Sequence, residues 1–281
     1  MKYEIYFKKQ LEQIEKTLED ILPGEKQYPV SVHEAMHYAV FPGGKRFRPI
    51  LALAACEAAG GKSKDALLAA SAIELVHCYS LVHDDLPALD NDDIRRGKPT
   101  CHKQFGEDVA ILAGDGLLTL AFQILADVKP AGKAVKLISE LSTASGTYGM
   151  IGGQVAELKA APEDLNLSLL DYISIHKTGK LIKASSVCGA IAAGAAKETQ
   201  NRIQKYGEFL GLAFQSVDDL MDGDGYLRMI KASEVFQRVR DLAANAKREI
   251  KTFGKKGEKM QVLVDYLLAT IPKGLHAQLD Q

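Results

Sequence analysis

Apolar residues recur at helical spacing along nearly the whole of this 281-residue chain, and the alternation that marks a strand is almost absent. Such a chain can bury its apolar stripes only helix against helix, so the expectation is an all-α bundle. No linker and no repeat of 20–50 residues divides the sequence, which is read as one domain over 1–281. The N-terminal stretch from Met1 to Leu22 spaces Tyr3, Ile5, Leu11, Ile14, Leu18 and Ile21 as an amphipathic helix rather than a signal peptide. Ser31-Val32-His33-Glu34 has capping-box spacing for a helix ending before Pro42-Gly43-Gly44, and Pro49 suits the first turn of the next, stopped by Gly60-Gly61. Ser63 is placed to cap a long helix reaching about Asp85. After a polar loop from Leu86 to His102, helices are predicted over about 107–128, 130–158, 168–195 and 198–222. A charged pair broken near Gly254 and Gly257 fills 226–271.

Composition excludes several classes of function. Lys and Arg number 35 against 36 Asp and Glu, so the net charge of −1 gives nucleic acid no general attraction. Trp is absent, which argues against a carbohydrate or base-stacking surface. The four cysteines, Cys56, Cys78, Cys101 and Cys188, form no C-x-x-C pair and read as free thiols of a reducing compartment. The longest apolar stretch, Val187 to Ala196, is too short to cross a bilayer, and a cytoplasmic location without a membrane span is expected.

Two histidine patterns offer metal chemistry. His33-Glu34-Ala35-Met36-His37 matches H-E-x-x-H, in which two imidazoles on one helical face hold zinc. No third ligand follows at helical spacing, and a short capped helix with Met36 in the core accounts for the same residues. His83-Asp84 matches the doublet of metal phosphohydrolases, but the other histidines are scattered.

The aspartates are more informative. Asp84-Asp85 and Asp90, followed by Asp92 and Asp93, end one long apolar helix, and Asp218-Asp219 with Asp222 ends another. Asp218 and Asp222 stand at i and i+4, where like charges destabilise a bare helix by a few tenths of a kcal/mol. A hard cation would offset that, and carboxylate-only sets suit Mg²⁺, which bridges protein to substrate phosphates. Cations recur beside them. Gly43-Gly44-Lys45-Arg46-Phe47-Arg48-Pro49 puts three in a turn entering a helix, Arg95-Arg96-Gly97-Lys98 follows the first acidic run, and His176-Lys177-Thr178-Gly179-Lys180 interrupts another helix. Arginine forks and helix-start amides favour phosphate oxygens. Acidic and basic clusters in an apolar helical bundle point to diphosphates carrying greasy tails.

The Gly43–Pro49 turn, the run from Asp84 through Thr100, Lys177-Thr178-Gly179 and Phe214-Gln215-x-x-Asp218-Asp219-x-x-Asp222 together resemble the trans-isoprenyl diphosphate synthases. The motifs stand in the family's order and cover roughly Leu18 to Asp222; beyond that only the helical character matches. The resemblance implies a single helical bundle of the isoprenoid synthase type around a central apolar cavity, usually in a homodimer. It implies condensation of isopentenyl diphosphate with an allylic diphosphate, dimethylallyl or geranyl. Asp84, Asp85, Asp90, Asp218, Asp219 and Asp222 would hold Mg²⁺ on the allylic diphosphate, with Arg95, Lys177, Thr178 and Gln215 touching the same substrate. Lys45, Arg48, His77 and Arg96 would hold isopentenyl diphosphate. A class I terpene cyclase normally has only one such Asp motif and lacks the Gly43–Pro49 turn.

Four residues separate Asp85 from Asp90, as in bacterial-type and plastid-type members, and bacterial-type farnesyl diphosphate synthases are the most similar subgroup. Tyr79 and Ser80 stand five and four positions before Asp84, one turn down the helix. In the family this chain resembles, an aromatic there goes with short products, so the resemblance implies a product of fifteen carbons, with geranylgeranyl diphosphate as the alternative. One departure stands out. The family follows its second Asp motif with a long Lys- and Gly-rich loop that supplies a further diphosphate-binding lysine, whereas Asp222 here runs into Gly223-Asp224-Gly225-Tyr226. A break in the backbone between about Asp222 and Tyr226 is expected. An unbroken backbone would favour a non-catalytic subunit of a heteromeric prenyl synthase.

Overall fold

A computed structural model of the chain describes residues 3–41 and 43–272, and across them the all-helical expectation holds. They fall into two compact units, Met1–Ile50 with Leu67–Ile138 and Leu51–Ala66 with Ser139–Gln281, whose divisions lie inside helices or at their starts.

The first unit contains α1 (Tyr3–Tyr6), α2 (Lys8–Ile21), α3 (Val30–Val40) and the start of α4 (Phe47–Ala58). It continues with α5 (Leu67–Asp84), a hairpin of β1 (Ile94–Arg95) and β2 (Lys98–Pro99), α6 (Cys101–Phe105), α7 (Glu107–Ala126) and the first half of α8 (Ala131–Ser145). Its centre is α5 against α7. From Ala69 to Val76 every residue of α5 is buried, the signature of a core helix without a polar face. The Ser63–Asp84 helical stretch and α7 are each long and apolar enough to cross a membrane, a feature missed by looking only at Val187–Ala196. Most of the former is instead buried inside the protein, whereas Ile111 and Leu112 of α7 are exposed.

The second unit contains the rest of α4 and α8, then α9 (Met150–Lys159), α10 (Leu167–Ile173), a π-helical turn over Ser174–Gly179, and α11 (Lys180–Ala192). The 26-residue α12 (Lys197–Asp222) follows, then a 3₁₀ turn at Gly225–Arg228, α13 (Ala232–Ile250) and α14 (Glu258–Ala269). Packed by α11, α13 and the π-helical turn, α12 buries Ile203, Tyr206, Leu210 and Val217. The Tyr206 hydroxyl donates to the Met260 carbonyl at 2.8 Å, which satisfies its buried oxygen.

Helix starts are where the structure departs from expectation. No side chain caps α3, which begins at Val30 behind Pro29 and leaves Ser31 inside the helix. The Ser63 hydroxyl binds the Glu57 carboxylate instead of capping α5. The amphipathic N-terminal stretch divides at Phe7, whose ring is fully buried while Ile5 is 68% exposed; Met1, Lys2 and Pro42 lie outside the described residues. The helix expected over 130–158 breaks between α8 and α9, at a bend holding Gly146 and Gly149, poor helix formers.

Candidate active site

In the first unit, α5 ends at Asp84, and the chain then turns so that the Asp90 amide donates to the Asp84 carbonyl at 2.8 Å. The four-residue spacer closes this turn and brings Asp90 back over the helix end. Asp85 is 3% exposed, and Arg95 reaches one of its oxygens through Nη2 at 2.6 Å and Nε at 2.7 Å. Burial pushes the Asp85 carboxyl above its ordinary value, and Arg95 opposes that shift.

Arg95 is delivered by the hairpin that the sequence shows only as a polar loop. Arg95 pairs with Lys98 across it, and the two residues at its tip, Arg96 and Gly97, both have positive φ. Arg95, the last residue of β1, faces Asp85, while Arg96 in the turn, at φ +53°, sends its guanidinium elsewhere and donates to the Gly43 carbonyl. The glycine turn and Arg96 are thereby brought together. Of the three cations in that turn, Lys45 is exposed, Arg48 is half-buried, and Arg46 is buried away from any ligand. Arg46 binds Glu15 at 2.7 Å, Glu74 at 2.8 Å and the Val40 carbonyl at 2.6 Å, so its charge is absorbed by the core rather than offered to phosphate. Desolvation, with Arg48 and Arg96 nearby, holds the His77 imidazole well below its ordinary value and therefore neutral.

In the second unit, Lys177 and Thr178 lie in the π-helical turn, a form that carries an extra residue and is frequent at functional sites. Neighbouring helices touch this turn backbone to backbone. A Cβ on Gly153 of α9 would lie 2.1 Å from the Lys177 nitrogen, and one on Gly211 of α12 would lie 2.8 Å from the Gly179 α-carbon. From the turn a polar relay runs to the second Asp cluster. Thr178 Oγ1 donates to Gln215 Oε1 at 2.7 Å, Gln215 Nε2 donates to Asp219 Oδ1 at 2.8 Å, and the Tyr226 amide donates to Asp219 Oδ2 at 3.0 Å. Burial raises the Asp219 carboxyl, and these donors oppose the shift. Asp218 is half-buried and Asp222 exposed.

The backbone is unbroken from Asp222 to Arg228, against expectation. Gly223 ends α12 in the left-handed conformation, and a tight turn leads into the Gly225–Arg228 helix. A pocket of about 330 Å³ opens at this end of the unit, lined among others by Ser174, Lys177, Gln215, Asp222, Asp224 and Arg228. Asp224 and Arg228 belong to no pattern read from the sequence; only their i,i+4 spacing could have drawn notice. Glu157 also lines the pocket and holds the Lys177 ammonium.

Both carboxylate sets stand at helix C-termini, where the helix dipole already disfavours negative charge by about 0.3–1 kcal/mol each. Their donors are all oxygen, the chemistry of a hard cation. Among the described residues no three His, Cys, Asp or Glu side chains form a metal cage by themselves. Mg²⁺ fits such residues, because it binds through one or two carboxylates and completes its shell with water and substrate phosphate. The H-E-x-x-H residues are otherwise engaged, His33 with the Gln27 carbonyl at 2.9 Å and His37 with the Pro23 carbonyl at 2.8 Å. On α5, Tyr79 is buried with its hydroxyl unpartnered among the described residues, while His77, Ser80, Leu81 and Asp84 form a half-open stripe.

The sequence pattern of polyprenyl synthetases matches residues 29–231. The chain belongs to the polyprenyl synthetase family. It is 47% identical over 219 residues to the heterodimeric geranylgeranyl pyrophosphate synthase large subunit 1, chloroplastic, of Arabidopsis thaliana, covering 75% of this chain and 58% of that one. The chain thus spans less than two thirds of the length of several curated relatives. It is 39% identical over 286 residues to a dimethylallyltranstransferase of Fischerella ambigua, covering 94% of this chain and 82% of the relative. An apo structure of an FPP/GFPP synthase from Zymomonas mobilis superposes with a TM-score of 0.89 at 34% identity, covering 94% of this chain and 98% of that one. The polyprenyl synthetase fold is all-α, as expected from the helical periodicity.

Proposed function

We propose that this chain is a Mg²⁺-dependent prenyltransferase that condenses isopentenyl diphosphate with an allylic diphosphate. The observation that carries the reading is the pair of carboxylate sets at the ends of α5 and α12, each buttressed by a buried aspartate with fixed donors. Asp84, Asp85, Asp90, Asp218, Asp219 and Asp222 would hold the metal, which offsets the negative charge of the departing diphosphate. Arg95, Lys177, Thr178 and Gln215 bind and orient the allylic substrate. Lys45, Arg48 and Arg96 supply the charge for isopentenyl diphosphate, and neutral His77 adds a hydrogen-bonding ring without a further proton to lose. Apolar helix faces exclude the water that would quench an allylic cation. The double bond of isopentenyl diphosphate is the nucleophile and the released diphosphate takes the final proton, so neither a side-chain nucleophile nor a side-chain base is needed.

A product of fifteen carbons follows from Tyr79 acting as the floor. Twenty carbons is the second reading, favoured by small Ser80 on the half-open stripe and by the geranylgeranyl names of several relatives. Assembly as a homodimer is supported by the exposed Ile111 and Leu112 on apolar α7. The short turn after Asp222 favours instead a subunit whose activity needs a different partner chain. A cytoplasmic place is proposed on the four free, buried thiols. Incubating the purified protein with Mg²⁺, isopentenyl diphosphate and dimethylallyl or geranyl diphosphate, then sizing the products, tests the whole reading. Absence of any elongated product would reject it for the chain acting alone.

A further inference from the structure

The two cations that line the 330 Å³ pocket of the second unit are each closed onto an acid of the same lining, Lys177 onto Glu157 and Arg228 onto Asp224. No motif assigns Arg228 a role. We propose that Arg228 is a diphosphate-binding residue, delivered by the short turn after α12, with Asp224 as the counter-ion it leaves when the ligand arrives. This rests on the reading of the pocket as a diphosphate site.

The backbone that carries Arg228 is held on both sides of the turn. Gly223 N–H bonds the Asp219 carbonyl at 3.0 Å, and the Tyr226 amide bonds the Asp219 carboxylate at 3.0 Å. Gly225, at φ +60°, lies so close to that carboxylate that a Cβ would sit 2.2 Å from its carbon. Beyond it the Tyr226 hydroxyl donates to Asp171 at 2.5 Å, and Arg238 donates to the same Asp171 oxygen at 2.6 Å. Arg228 is two residues past this anchor, so its Cα has little freedom.

Its side chain is held differently. Arg228 and Asp224 are 54% and 53% exposed, and their contact, 2.7 Å between Nη2 and Oδ2, is of the solvent-screened kind that contributes little to stability. A diphosphate offers several anionic oxygens to the same planar fork, which binds phosphate in bidentate fashion. Fixed backbone and an exchangeable partner together make a side chain that can transfer from acid to ligand without refolding the turn. Lys177 stands in the same lining with the same kind of acid partner, so a ligand entering there meets two cations that each give up one carboxylate.

The test is calorimetric titration of the full chain with inorganic pyrophosphate and Mg²⁺, comparing wild type, Arg228→Gln and Asp224→Asn. Arg228→Gln is expected to weaken binding about tenfold or more, the loss typical of a charge-assisted bond. Asp224→Asn is expected to bind at least as tightly as wild type, because it releases Arg228. A loss under about fivefold in Arg228→Gln, or weakening in Asp224→Asn as well, overturns the proposal and makes the pair a structural clip. Wild-type binding that Lys177→Gln weakens would still leave the diphosphate site standing. A wild type that binds no pyrophosphate removes both.

Discussion

The guanidinium of Arg95 meets the carboxylate of Asp85 at 2.6 Å, ten residues away in sequence and across a hairpin turn. Asp85 is thus engaged before any ligand arrives, and it holds the Arg95 guanidinium in one place. Its neighbour Asp84 ends α5, and the chain returns there so that the Asp90 amide bonds the Asp84 carbonyl. The aspartates of one motif therefore have unequal tasks, and the same division recurs at Asp219, which is tied to Gln215 and Tyr226.

Replacing Asp84 or Asp218 by alanine should lower kcat by about a hundredfold or more, since each removes charge stabilisation made in the transition state. Steady-state kinetics at saturating Mg²⁺ and substrate measures this, and EDTA should abolish turnover in the wild type. Near-normal kcat in either variant would remove its cluster from the active site.

Arg46 and Glu74 are a buried pair, and breaking one typically costs about 3–5 kcal/mol because it strands the other charge. Arg46→Met or Glu74→Leu should lower the urea unfolding free energy by that order, whereas exposed Lys45→Met should change it by less than about 0.5 kcal/mol. Equal effects at positions 45 and 46 would contradict the inward placement of Arg46.

Neutral His77 sets a pH dependence. Its imidazole titrates near 6.5 when unfolded and well below that when folded, so the unfolded chain binds the proton first. The stability it contributes is fully present above 6.5 and is lost as the pH falls below it, by up to about 1.4 kcal/mol per pH unit. Urea unfolding at about pH 7.5 and about pH 5.5 should show a larger loss in wild type than in His77→Gln. The same loss in both would mean that His77 takes up its proton equally well in the folded chain.

Tyr79→Ala removes a buried ring from α5 five residues before Asp84. If Tyr79 is the floor, the variant should shift products from fifteen to twenty carbons or more while turnover changes less than chain length does. A wild type that already makes twenty carbons would move the floor elsewhere.

The helical class and the residues of both acidic sets were legible because periodicity and spacing are local properties. Direction was less so. Nothing in Gly-Gly-Lys-Arg-Phe-Arg distinguishes Lys45, which faces solvent, from Arg46, which faces Glu74, because that choice depends on an acid 28 residues away. The hairpin was hidden for a similar reason, since two-residue strands are too short to show alternation. Ser31 and Ser63 had the chemistry of caps, yet the first lies inside its helix and the second found Glu57.

The π-helical turn at Ser174–Gly179 has a consequence for phase. Each residue of an α-helix rotates the chain by about 100°, and the extra residue here separates the facing of α10 from that of α11. Leu170 and Ile173 before it, and Leu181 and Ile182 after it, are all buried in that arrangement. Deleting one residue from the turn would keep every side chain of the Lys-Thr-Gly motif except the one removed, yet one flanking apolar pair would swing out of the core. Length is thus constrained in this segment beside the identity of Lys177 and Thr178, and a deletion anywhere in the turn would cost packing even where it spares both side chains.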